Sequence, residues 1–473
     1  MIVDRYPPEN LFAVVPKLVA DVEPELRELD RLLADDELFG RVKADLSRRR
    51  PHSRTRGRPS TPVEVILRVL VVKRLYRWSY EQTERFVGDS LVLRQFCRLY
   101  WQPVPDDTTL LRWAQLIGPT TLEQLNGRVV ELACSLKVTR GRKLRVDSTV
   151  IATTIHHPTD SRLLGDGVRV LSRLLRRAKR VLGEQTTLSR EAFRTRTRSV
   201  RRLAQQVHRL ARRKGEEAAE QMKGAYTRLL GIAQQSCRQA ERVPAVLAQQ
   251  DTPAAQRLGE QFRHFLPLVG QAIGQATQRV LHGEAVPAAA KLLSLFEPHT
   301  QVIQRHKPGH AVEFGRKLWL DAVDGGIVSR YALLDQPGQD QPYLADSLAG
   351  HQERFGHPPW LLAGDRGVYS IANERLAQQA GVQRIVLPAT GKPSAARRQQ
   401  ERTGWWRRGF RFRAGIEGRI SVLRRGFELD RCRDHGEEAM RRWVGWGILA
   451  HNLTKIAQTV ARRAALRPTP ASG

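Results

Sequence analysis

Two apolar rhythms alternate along the chain, and their order predicts its organisation. Residues 1–45 place apolar side chains at helical spacing in "LFAVVPKLVADVEPELRELDRLL", which predicts one or two lead-in helices. From Val63 the helical rhythm strengthens in "VEVILRVLVVKRLY" and "SYEQTERFVG", where Ser79 and Gln82 form a plausible capping box. "LVLRQFCRL" predicts a short helix, and "TTLLRWAQLIG" another after the break at "PVPDD". Short helices joined by tight turns describe a helix-turn-helix-like module or an ordinary helical bundle within a helical region over 1–135.

The rhythm changes at residues 142–155, "RKLRVDSTVIATTI", where β-branched residues flank Asp147 as in a strand. Strand signals return only at 316–334, in "RKLWLDAV" and "GIVSRYALL", separated by the turn-like Asp324-Gly325-Gly326. Helix "YLADSLAGHQERFG", strand "WLLAGD", helix "SIANERLAQQAG" and strand "RIVLP" follow, then a last helical region. This order predicts an α/β fold: a mixed sheet flanked by helices, assembled from 136–168 and 300–460. Between the two pieces, 169–299 reads as helix, with apolar residues at three and four in "LSRLLRRAKRVL" and "VRRLAQQVHRLARR". A large all-helical insertion therefore interrupts the sheet, and 461–473 forms a frayed tail.

Charge adds a partner to this picture. The 473 residues hold 79 Lys plus Arg against 48 Asp plus Glu, a net charge of +31. Residues 169–223 alone carry 17 basic residues against 5 acids. Such an excess calls for a polyanion, and counterion release makes nucleic acid the favoured one. The expected partner is double-stranded DNA. A membrane is the rival, but the chain has no apolar run of about 18 residues, no lipidation signal and no signal-peptide pattern, so a cytoplasmic, nucleoid-associated location is expected. The basic linker over 46–62 contains Arg56-Gly57-Arg58-Pro59, and Arg56 and Arg58 suit either a minor-groove arm or a solvated linker. Cys97, Cys134, Cys237 and Cys432 form no CxxC pair, so any metal is held mainly by oxygen or histidine.

Acids at strand centres or ends are the candidate chemistry. Asp147 lies inside an apolar strand, where an unpaired carboxylate is costly. Asp365 directly follows "WLLAG", at the carboxyl end of a strand where open sheets place their sites. Asp321 in "LWLDAVDGG" competes, although the following hairpin explains it. Between Glu401 and Glu428, Glu417 is the sole acid among eight arginines. On a helix, Arg413 and Glu417 stand at i and i+4, and Arg424 seven residues beyond Glu417 shares their face. Such a carboxylate suits a metal, and its arginines, Arg419 included, suit flanking phosphates. Trp405 and Trp406 either stack on an unpaired end base or pack against the sheet. His156 and His157 follow the Asp147 strand, and as strand neighbours at most one would reach its site. Asp160 and Asp166 read as capping acids.

The spacing Phe410, Arg413, Glu417, Arg424 resembles the YxxRxxxExxxxxxK signature of bacterial insertion-sequence DDE transposases, with Phe for Tyr and Arg for Lys. "VDSTVIATTIHHPTDSRLL", "GDRGVYS" and "GWGILAHNL" resemble their ISNCY-like group. The likeness runs from about residue 55 to 460, reduced to composition in the helical insertion. It implies an RNase H-like catalytic core preceded by a helical DNA-binding domain. It also implies Asp147, Asp365 and Glu417 as a triad holding two Mg²⁺ or Mn²⁺ ions, with Arg413 and Arg424 positioning phosphates. The implied reaction is hydrolytic strand cleavage followed by attack of a DNA 3′-hydroxyl on target DNA, by a homodimer in a synaptic complex. Two departures stand out. Phe410 lacks the hydroxyl of the usual Tyr, and the insertion follows the first strand rather than preceding the final Glu.

Overall fold

The computed structural model describes residues 3–5, 22–48, 60–183, 188–307, 310–335 and 338–466. The arm residues Arg56 and Arg58 lie outside the described residues, as do most of the lead-in stretch and the tail. The chain forms two compact units, one of 1–152 with 317–473 and one of 153–316.

Among the described residues, the first unit opens with helices α1 (Pro24–Leu32), α2 (Asp36–Ser47), α3 (Val63–Tyr76), α4 (Tyr80–Asp89), α5 (Leu91–Phe96), α6 (Asp107–Leu116) and α7 (Pro119–Ser135). Helix α3 is buried almost all round, charges included. Fully buried Arg68 is tolerated because Glu64 Oε1 accepts from its Nε at 2.9 Å and Asp30 Oδ1 from its Nη1 at 2.6 Å. The expected capping box opens α4: Ser79 Oγ accepts from Gln82 N and Gln82 Oε1 from Ser79 N, each at 3.0 Å. Strand β1 (Lys143–Ala152) follows.

The second unit is mostly helical: α8 (Asp160–Leu182), α9 (Thr197–Leu210), α10 (Glu216–Glu241), α11 (Val243–Ala248) and α12 (Pro253–Ala276). Two apolar clusters, one around Leu171 and Phe262 and one around Leu164 and Leu229, form its core. Strand β2 (Gln301–Lys307), which no sequence signal marked, pairs antiparallel with the first part of β3 (His310–Val323), from Gln301 against Gly315. "QVIQRHK" has only the adjacent Val302 and Ile303 as apolar residues and no alternation, which hid β2; β3 begins six residues before the expected start.

From Lys317 the chain returns to the first unit. It adds β4 (Val328–Leu333), α13 (Tyr343–Phe355), β5 (Leu361–Ala363), α14 (Ile371–Gln379), β6 (Arg384–Val386), α15 (Ala395–Arg402), α16 (Gly404–Gly426) and α17 (Glu437–Ala465). The strands run in the order β3, β1, β5, β6, with β4 on β3. Pairs β1–β5 and β5–β6 are parallel and β3–β4 is antiparallel, so the sheet is mixed and flanked by helices. Helix α16 lies close on β1, β5 and β6 because glycine faces them. A Cβ on Gly409 would stand 2.6 Å from Val386 Cγ2, and one on Gly415 would stand 2.5 Å from Arg145 Nη1.

Candidate functional site

The parallel register of β1 and β5 sets two carboxylates side by side. Arg145 pairs with Ala363, the last residue of β5; Asp147 lies two residues further along β1, and Asp365 two residues past the end of β5. Their charges meet. Burial first, and then Asp365, push the Asp147 carboxyl up to about 6, while the Ser148 amide and Arg413 pull it back. Ser148 N donates to Asp147 Oδ1 at 2.7 Å, and Val368 N donates to Asp365 Oδ1 at 3.1 Å. Both side chains are thus oriented by nearby backbone amides.

A third acid, Asp340, joins them. It also raises the Asp147 carboxyl, and Ser148 Oγ donates to its Oδ2 at 3.0 Å. A Cβ on Gly367 would lie 3.2 Å from Asp365 Oδ1 and 3.7 Å from Asp340 Oδ2, so the two carboxylates flank one glycine. Buried Asp340 is neutralised by Lys317 Nζ at 2.6 Å from its Oδ1. Sequence reading passed Asp340 over because "GQDQPYLAD" reads as a polar turn before a helix. The missed signal was Lys317, a cation directly before the apolar run Leu318–Leu320 of β3.

Helix α16 supplies the other face. Thr403 caps it, and Trp405 and Trp406 sit in its first turn. Trp406 is buried against Leu361, Ala363 and Val386, with the Arg397 guanidinium 4.6 Å from its ring centre. Trp405 is half-buried beneath Arg384. Two turns on, Arg413 reaches Asp147 electrostatically and also pairs with Glu417, Nη1 to Oε1 at 3.4 Å. Glu417 itself is 68% exposed. Among the described residues, no three Asp, Glu, His or Cys side chains stand close enough to hold one metal ion. Asp147 and Asp365 therefore come together, while Glu417 is turned to Arg413. A repelling carboxylate pair is nevertheless the donor set that a divalent cation relieves.

Other candidates are placed as follows. Arg424 is half-buried and Phe410 exposed. Arg419 faces inward, its Nη1 2.9 Å from His451 Nε2, and burial lowers its pKa. Buried Asp321 accepts from Trp319 Nε1 at 2.8 Å and Ser347 Oγ at 2.7 Å, so it is held structurally. Strand β1 ends at Ala152, so His156 and His157 are exposed loop residues rather than strand neighbours. Asp160 is buried against Gln275 and Arg279, and Asp166 pairs with Arg169. Three cysteines are buried and Cys134 is half-buried, all as free thiols. Among the described residues, no helix is long and apolar enough to cross a membrane.

Comparison with known proteins matches two separate segments of the chain. Residues 375–457, which contain Glu417, match the family model described as a transposase DDE domain, and residues 16–116 match a model described as a transposase domain (DUF772). A curated protein of Rhizobium meliloti, "Uncharacterized protein ORF8 in nfe locus", is 33% identical over 131 residues, covering 26% of this chain and 61% of that protein. The chain thus spans less than two thirds of the length of that curated relative. No solved structure matches.

Proposed function

The two matched segments support a transposase-family protein with a DDE-type domain, and from that premise we propose that the chain binds the ends of an insertion sequence, cleaves them and joins their 3′-hydroxyls to target DNA. The mixed sheet with its helical insertion is consistent with an RNase H-like core. The observation that carries the reading is the Asp147–Asp365 pair, one on β1 and one just past the end of parallel β5, beside an arginine-rich helix.

Asp147 and Asp365 would hold a divalent ion, with Glu417 joining them on leaving Arg413. A bound Mg²⁺ or Mn²⁺ pair would supply Lewis acidity for phosphoryl transfer. The chain's own groups do the rest. Arg413, once released by Glu417, stands ready for a phosphate next to the acids, and Arg424 extends the same helix face toward the backbone. Ser148 and Val368 amides keep the two aspartates oriented. Buried Trp406 pins the first turn of α16 to the sheet, which leaves Trp405 as the aromatic nearer solvent for a DNA end.

The outward position of Glu417 favours a second reading, a non-catalytic DNA-binding relative. Incubating the full chain with its own element's ends and Mg²⁺ separates the two, reading both cleaved and joined products. Cleavage with joining supports the transposase, cleavage alone indicates a nuclease, and binding without either supports the non-catalytic reading.

A further inference from the structure

The second unit carries a feature that the paired aspartates do not explain. A groove of about 1280 Å³ runs between α8 and α9, lined by Arg162 and Arg169 from the first and by Arg198, Arg201, His208 and Arg209 from the second. All six side chains are exposed. Arg162 and Arg169 are seven residues apart and share one face of α8, while Arg198, Arg201, His208 and Arg209 line one face of α9. The helices meet closely where Gly165 faces Val200, so both rows rise from a shared apolar floor.

Charge in this groove is left unbalanced. Asp166, the acid in its lining, is already paired with Arg169. Arg162, Arg198, Arg201 and Arg209 have no acidic partner among the described residues. Like charges crowded on two facing helices repel, and a fold that keeps them there gains from a polyanion that spans them. Guanidinium forks match phosphate oxygens in pairs. From Arg198 to Arg209 the helix rises about 16 Å, the axial length of about five phosphates along one DNA strand.

We infer that this groove is a DNA-backbone binding site in the helical insertion, gripping the phosphodiesters of a duplex. It rests on the transposase reading for the identity of its polyanion, but its residues are separate from the paired aspartates and can be tested without catalysis.

The test measures binding of the full chain to two fluorescent duplexes, its own element's end and a scrambled sequence, across a salt series. Arg198, Arg201 and Arg209 are replaced together by Gln, and the exposed Arg228, Arg238 and Arg263 serve as a charge-matched control triple in the same unit. For the groove variant, affinity should fall at least tenfold, and the slope of log affinity against log salt should flatten by about 2 to 3, near 0.9 per lost phosphate contact. Arg-to-Lys replacement at the three groove positions should retain most of the slope. An unchanged slope overturns the site, and so does an equal loss in the control triple, which would reflect net charge alone. In both of those cases wild-type DNA binding leaves the transposase reading standing. Failure of the wild type to bind either duplex overturns both.

Discussion

Arg413 Nη1 lies 3.4 Å from Glu417 Oε1, one helical turn away, and the same guanidinium lowers the pKa of Asp147. One cation therefore serves two of the three acids proposed for catalysis. Glu417→Gln should abolish Mg²⁺-dependent cleavage of cognate ends while leaving DNA affinity within about threefold, since a single exposed pair contributes under about 1 kcal/mol. Gel assays of cleavage and binding on one substrate check this. Undiminished cutting would remove Glu417 from the site.

Asp147 links the site to pH. Its carboxyl is raised above the ordinary 3.8 to about 6, by burial first and Asp365 second. The folded state then binds the extra proton between those values, so this group's contribution to stability is greatest below about 4 and falls as pH rises through 6. Asp147→Asn removes that loss. It should stabilise the protein at pH 7 by about 3 kcal/mol and flatten the melting profile between pH 4 and 7. In the wild type, Mg²⁺ should raise the melting temperature more at pH 7 than at pH 5, because binding competes with the proton. Melting in Mg²⁺ that responds identically in wild type and Asp147→Asn would argue against an ion at Asp147.

Buried Asp340 and half-buried Lys317 form an ion pair beside the two aspartates. Removing one partner strands the other's charge, so Lys317→Met should destabilise by about 3 kcal/mol. Adding Asp340→Asn to that variant should restore much of the loss, because neutralising both partners leaves no orphan charge. Asp340→Asn alone should lower the Asp147 pKa, since Asp340 pushes it up. Urea unfolding of the singles and the double gives the coupling energy, and a value near zero would mean that the pair does not interact.

The legible parts of this chain were those in which local chemistry and tertiary role agree. Ser79 and Gln82 announced a capping box because both bonds are made within four residues. Asp147 and Asp365 were visible because a carboxylate in or just beyond an apolar strand has few structural uses. Strand β2 was hidden because its pairing partner, not its own alternation, defines it. Asp340 was hidden because its neutralising partner Lys317 lies 23 residues away in sequence. The side-chain direction of Glu417 was equally out of reach, since helix spacing sets which residues can meet but not which pair forms.

Arg419 shows the same limit from the other side. Its place among eight arginines suggested DNA contact, yet its Nη1 meets His451 Nε2 at 2.9 Å. His451 is buried and held down to about 3, by burial first and Arg419 next, so it meets the guanidinium as a neutral acceptor. Its Nδ1 lies 3.0 Å from Asn452 Oδ1; Asn452 in turn donates to Val328 O and to Asn126 Oδ1, both at 2.8 Å. A polar chain thus ties α16 to α17, β4 and α7. Arg419→Met should lower stability by about 2 kcal/mol through the lost buried bond while leaving the salt dependence of DNA binding unchanged. Arg424→Met, on the DNA-facing side of the proposal, should do the reverse, flattening the salt slope by about 1 with little change in melting. Paired melting and salt titrations of these two variants decide the roles, and a flattened slope for Arg419→Met would return that residue to the DNA interface.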